Sequence, residues 1–175
     1  MIRSPLPELS PSDRAPGLHV ELGAVIPDDT YIAPHVTIYA GVEIGPGVTI
    51  GQGSMIGRPK HRDSGSRSPL GPDGAKTFIG EGCQIGSGAV ISRGGTILAG
   101  SRLADYTLVM PGAVLGEKAM LGRNSGIAEY VRIGARTRIQ NDVIIAPWTQ
   151  VGTDVLIGPR VTLVGDPTMG RRPYT

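Results

Sequence analysis

The polar side chains best spaced to act together are Arg123-Asn124 and Gln140-Asn141-Asp142. Asn124 and Asp142 are 18 residues apart, as are Arg123 and Asn141. Amides and carboxylates grouped in this way hold a polar small molecule through a hydrogen bond or two each. Asn and Asp also suit tight turns, and that structural reading stands beside the functional one. Glu129 is close to both runs in sequence. Basic residues fall in two further sets: Arg58, Lys60, Arg62, Arg67 and Lys76 in one polar stretch, and Arg136, Arg138, Arg160, Arg171 and Arg172 towards the C-terminus. Guanidinium and ammonium groups suit phosphates, although a charged run is more often a solvated face. The histidines are His19, His35 and His61, and His61 lies inside the polar stretch.

Residues 18 apart meet only if the backbone returns to one place every 18 residues. The chain carries a repeat that does so. From Ile79 to Leu163 every sixth residue is Ile, Leu or Val, fifteen positions without a gap. Two residues before each stands a small or β-branched residue, among them Cys83, Ala89, Ser101, Ser125 and Val143. The residue after the aliphatic one is often Gly, as at Gly80, Gly86, Gly116 and Gly134. A helix repeats near 3.6 residues and an isolated strand at two, so a period of six fits neither. Hexads belong to coiled β-solenoids, in which short strands alternate with turns and coils stack. The aliphatic side chain points into a narrow core, the small residue lets turns close, and Gly tolerates unusual turn angles. Three hexads per coil give the return of 18.

An earlier ladder runs Val20, Ile26, Ile32, Ile38, Ile44, Ile50, Ile56. From Ile56 to Ile79 the step is 23 residues where six would do, so 17 are extra. They are polar and rich in Pro and Gly, and leave the solenoid as a loop. Such insertions often build the binding face of a repeat protein. The expected organisation is a Pro-rich arm over 1–17, a solenoid over 18–165 with an inserted loop at 58–77, and a tail over 166–175. Roughly seven coils at ~4.8 Å per strand make a prism about 35 Å long. If the chain resumes on the next face after the loop, Tyr130 stands above Trp148 at the corner the loop leaves. Tyr106, Asn124, Asp142 and Arg160 form a second outward column. Asp105, Arg123 and Asn141 form a third, at the same corner as the second. Exposed stacked aromatics point to contact with a partner subunit or a ligand.

The 175 residues suffice for one domain with a continuous core. Hydrophobic residues make up 39%, with one Trp and one Phe, which suits stacked aliphatic rungs better than an aromatic globule. A net charge of +2 marks no nucleic-acid binder. Cys83 is the sole cysteine, so no disulfide forms within the chain, and its place in a small-residue slot gives it a packing role. No signal peptide or membrane span is apparent, and the expected compartment is the cytoplasm.

The repeats IGEGCQ, IGSGAV, LGRNSG, IGARTR and VGTDVL resemble those of the hexapeptide-repeat acyltransferases, whose fold is an all-β, left-handed parallel β-helix. The resemblance covers about Val20 to Leu163. The runs FIGEGCQIGSGAVISRGGTI, LGRNSGIAEYVRIGARTRIQNDVIIAP and VGDPTMGRR are similar to the branch that acetylates amino groups on nucleotide-linked sugars. Gly165 stands where that branch usually has Asn. The resemblance implies a homotrimer, acetyl-CoA or another acyl-CoA as donor, no metal, and active sites in the clefts between neighbouring prisms. Acyl transfer from a thioester needs a deprotonated nucleophile and a stabilised oxyanion. The implied roles are His61 as base, with Asn124 and Asn141 also catalytic. Arg123, Glu129, Gln140, Asp142, Arg58 and Arg62 bind an amino-sugar acceptor, and Arg160, Arg171 and Arg172 bind CoA. The alternative to a His base is an Asn or Glu orienting a neutral amine. A hydroxyl acceptor stays open. So does a non-catalytic solenoid, which would need no long basic loop. A zinc site of the γ carbonic anhydrase type needs three histidines, and no H-x4-H pair is present.

Overall fold

The computed structural model describes the backbone of Ser10–Ser12 and residues 14–59 and 75–164. Short strands, most of them two residues long, close a three-sided solenoid. The first face runs from Leu18–Val20 through Thr37–Ile38, Met55–Arg58, Val90–Ser92, Leu108–Val109, Gly126–Ile127 and Ile144–Ile145 to Thr162–Leu163. The second runs from Val42–Ile44 through Thr77–Ile79, Thr96–Ile97, Val114–Leu115 and Arg132–Ile133 to Gln150–Val151. The third runs from Tyr31–Ile32 through Thr49–Ile50, Gln84–Ile85, Arg102–Leu103, Met120–Leu121 and Arg138–Ile139 to Leu156–Ile157. All these strands are parallel, and the coils form a left-handed β-helix of about seven turns. Ser10–Ser12 is the exception, antiparallel to Leu18–Val20 at the N-terminal end of the first face.

Register follows the repeat. Leu103 pairs with Leu121, and Leu121 with Ile139, each one coil of 18 residues on. Across the insertion Ile44 pairs with Ile79 and Ile56 with Ile91, steps of 35 residues. That is one coil plus the 17 extra residues, and the chain resumes on the next face. Of the insertion, residues 60–74 lie outside the described residues, as do residues 1–9 of the expected arm and the tail from 165 onward.

The aliphatic rungs form one continuous core, with Ile38, Ile56, Ile79, Ile97, Leu115, Ile127 and Ile145 fully buried. Burying one such side chain stabilises the fold by about 1.5–3 kcal/mol. The small slots are buried too, and their hydroxyls bind across coils. Ser125 Oγ donates to the Gln140 carbonyl at 2.9 Å and accepts the Val143 N–H at 3.0 Å. Thr137 does the same with Gly152 and Val155.

The glycine after each rung has a different cause from the one expected. Gly80, Gly86, Gly116 and Gly134 are not in the left-handed region. That conformation falls two residues later, at Gly82, Gly88, Lys118 and Arg136. The glycine after the rung is there because the next coil passes close by. At Gly122 a Cβ would lie 2.4 Å from the Gln140 carbonyl carbon.

Candidate functional site

Each coil turns at three corners, and each corner residue carries its column along the prism. At the corner from third face to first stand Asp105, Arg123, Asn141 and, one residue on, Tyr106, Asn124, Asp142 and Arg160. The latter four have φ of 58°, 56°, 58° and 59°. Their backbones are laddered: the Asn124 N–H donates to the Asp105 carbonyl, Asp142 to Arg123 and Arg160 to Asn141, at 2.9–3.0 Å. Side chains tie the same coils together. Asn141 Oδ1 accepts the Arg123 N–H at 2.9 Å, and Asn124 Nδ2 donates to Asp142 Oδ1 at 2.9 Å. Asp105 Oδ1 accepts the Ser87 N–H at 2.8 Å one coil earlier. The residues 18 apart therefore meet as the spacing requires, and part of what they do is cap turns.

What remains at this corner is hydrogen-bonding capacity on exposed side chains. Among the described residues Asn141 Nδ2 and Asp142 Oδ2 have no partner, while Gln140 is half-buried beside them. Arg160 is exposed one coil further on. A shallow groove of about 330 Å³ runs along the neighbouring third face, lined by Gln84, Gly86, Arg102, Ala104, Asp105 and Met120.

Glu129 does not join this group. It lies in the turn from first face to second, where its carbonyl accepts the Trp148 N–H at 3.0 Å. Closeness in sequence misplaces it because a turn of only a few residues separates faces pointing in different directions. At its corner Tyr130 and Trp148 stack with ring centroids 4.3 Å apart and planes 16° apart. The Tyr130 ring lies over Gly112, where a Cβ would be 2.6 Å away. Trp148 is 57% exposed.

The insertion leaves and re-enters at this same corner. Arg58 closes its strand there. His61 and Arg62 lie outside the described residues, as do Arg171 and Arg172. Lys76 is ion-paired with Glu43. His19 stands on the first face, and His35 at the third-to-first corner, its ring over Gly17. At the remaining corner Arg136 Nε and Nη2 grip both oxygens of Asp154, at 2.7 and 2.6 Å. This pair is exposed. The hydrogen bond and charge of Arg136 hold the Asp154 carboxyl below the usual carboxylate range. Cys83 is buried, its Sγ 3.1 Å from the Leu98 carbonyl oxygen, and burial pushes its thiol pKa up.

Arg93 escaped the sequence reading. It stands beside Arg58 on the next coil, 35 residues on, and that step, equal to a coil plus the insertion, is the signal that marks it.

Residues 23–58 match the family model described as bacterial transferase hexapeptide (six repeats). The structure is similar to that of the UDP-N-acetylglucosamine acyltransferase of Francisella novicida, with a TM-score of 0.77 at 21% identity. The match covers 87% of this chain and 57% of that one, so the chain spans little more than half its length. A provisionally assigned acetyltransferase of Bacillus cereus matches with a TM-score of 0.66 at 16% identity, over 84% of this chain and 80% of that one. The UDP-N-acetylglucosamine O-acyltransferase of Moraxella catarrhalis gives 0.55 at 17% identity, over 79% and 71%. Likeness at these identities is likeness of fold. No curated protein matches the sequence.

Proposed function

We propose that the protein is an acyltransferase that moves an acetyl or other short acyl group from acyl-CoA to an amino group on a nucleotide-linked sugar or a similar small molecule. The observation that carries this reading is the hexapeptide solenoid, similar over 87% of the chain to an enzyme named as a UDP-N-acetylglucosamine acyltransferase. It is an inference from fold, and the site must supply the chemistry. The third-to-first corner offers that chemistry: exposed amide and carboxylate groups in fixed turns, which suit an amine or hydroxyl that must be oriented. In this reading Asn124, Gln140, Asn141 and Asp142 hold the acceptor, and His61 from the insertion takes its proton. Backbone N–H groups stabilise the oxyanion. Arg160, Arg171 and Arg172 face the phosphates of CoA. The working unit is a homotrimer with its sites in the clefts between prisms, and Glu129 joins the acceptor site only across a subunit boundary.

A second reading, a hydroxyl acceptor, is favoured by the O-acyltransferase name of the Moraxella protein. Purified protein with acetyl-CoA, amino-sugar nucleotides and their hydroxyl counterparts separates the two, with free thiol as readout. Thiol release that depends on the amino sugars is expected. Release only with the hydroxyl compounds selects the second reading. No release with any acceptor, or with longer acyl chains, overturns both.

A further inference from the structure

Among the described residues the Nε atoms of two arginines at the foot of the insertion lack partners, and the backbone sets the two residues on consecutive coils. Ile56 pairs with Ile91 but Arg58 pairs with Ser92, so the strand Met55–Arg58 carries one extra residue. That residue is Gly57, at φ +79°, where a Cβ would lie 2.4 Å from Val42 Cγ2. Only glycine fits, and a bulge of this kind re-aims the side chain beside it. Here that side chain is Arg58. Its carbonyl accepts the Arg93 N–H at 2.9 Å, which sets the two arginines side by side on consecutive coils. The turn beneath is fixed by Thr77 Oγ1, which accepts the Gly94 N–H at 3.1 Å.

The Nε of Arg58 and the Nε of Arg93 are both closed to solvent and have no acceptor among the described residues. Among the described residues neither arginine has an ion-pair partner. Glu21 and Glu129, at the same corner, are two coils away on either side, and Glu43 is held by Lys76. Two adjacent cations with dry, unpaired donors are costly unless an anion completes them. A guanidinium offers Nε and Nη as a planar fork that fits an oxyanion. We propose that Arg58 and Arg93 bind a phosphate group of a small-molecule ligand at the foot of the insertion. The site does not depend on the acyl-transfer reading, since phosphate binding and acyl transfer are measured apart and fail apart.

The test titrates inorganic phosphate into the full chain at constant ionic strength and follows the melting temperature. The wild type should show a saturable rise. Arg58→Gln or Arg93→Gln should weaken the apparent affinity about tenfold or more, as loss of a charge-assisted bond requires. The double variant reports the general stabilisation that phosphate gives any protein. Arg58→Lys and Arg93→Lys keep the charge without the fork, serve if the Gln variants fold poorly, and should bind less tightly than wild type. In phosphate-free buffer Arg93→Gln should melt no lower than wild type, because it removes an unpaired charge; an arginine that serves only the fold would lower it. Uridine diphosphate and coenzyme A, titrated separately, name the source by which affinity falls in the variants. Identical phosphate responses in wild type and double variant overturn the proposal. So does binding that emerges only in Asp63→Asn or Asp73→Asn, because a carboxylate of the chain itself would then be the occupant.

Discussion

A side chain in the left-handed region costs about 1–2 kcal/mol that glycine avoids. The earlier turns mostly use glycine there, as at Gly47, Gly53, Gly82, Gly88 and Gly100. From Tyr106 onward the chain instead uses Tyr106, Lys118, Asn124, Tyr130, Arg136, Asp142, Trp148, Asp154 and Arg160, with Gly112 the exception. The stacked rings, the Arg136–Asp154 pair and the Asn124–Asp142 bond offset part of that cost. Asn124→Gly therefore separates fold from function. It should leave the melting temperature equal or higher, because the strain is relieved, while lowering kcat/KM about tenfold if the amide orients the acceptor. Retained kcat/KM would make Asn124 a turn residue only. Cys83 gives a cleaner case. Burial raises its folded pKa above the unfolded value of about 8.5, so the neutral thiol's contribution to stability is full below that pH and is lost as pH rises through the folded value. Native protein should resist a thiol reagent at neutral pH and react once unfolded. Cys83→Ala, matching Ala89 and Ala113 in the same slot, should flatten the stability profile above about pH 8.5.

The hexads made the strands readable because core, slot and close-approach glycine recur in fixed order. The pairing of Ile44 with Ile79 follows from counting alone. So does the meeting of Asn124 with Asp142, since stacking in a solenoid converts sequence spacing directly into contact. The corner held by Glu129 and the bulge at Gly57 were not readable in the same way. Each depends on how a turn bends between faces, and one added residue re-aims whatever follows it. Two substitutions test the close approach of coils. Gly122→Ala puts a methyl group 2.4 Å from backbone that cannot yield, and should lower the melting temperature by several degrees. Gly158→Ala meets nothing within 4 Å and should be neutral by the same thermal melt. Ile127→Asp buries an unpaired charge mid-core and should abolish folding, seen as loss of the β signal in circular dichroism.

The three faces differ in what they show to solvent. The outward column of the first face includes Met55, Val90, Leu108, Gly126 and Ile144 and has no Asp, Glu, Lys or Arg from His19 to Thr162. The second face carries Glu43 and Arg132, and the third carries Arg102 and Arg138. Association cores are depleted of charge, so within the proposed homotrimer the first face is the one that meets a neighbour. It is bounded by the third-to-first corner, the proposed acceptor site, on one side and by the Tyr130–Trp148 and insertion corner on the other. Its burial would bring those two corners, from different subunits, to the edges of one cleft. Ile144 is 59% exposed, so Ile144→Lys should leave the single prism folded. Light scattering should then fall from about three chain masses towards one, and thiol release should fall with it. A three-chain particle that survives Ile144→Lys with full activity puts the interface elsewhere. Leu156→Lys, at the 67% exposed Leu156 of the third face, is the substitution that would then break it.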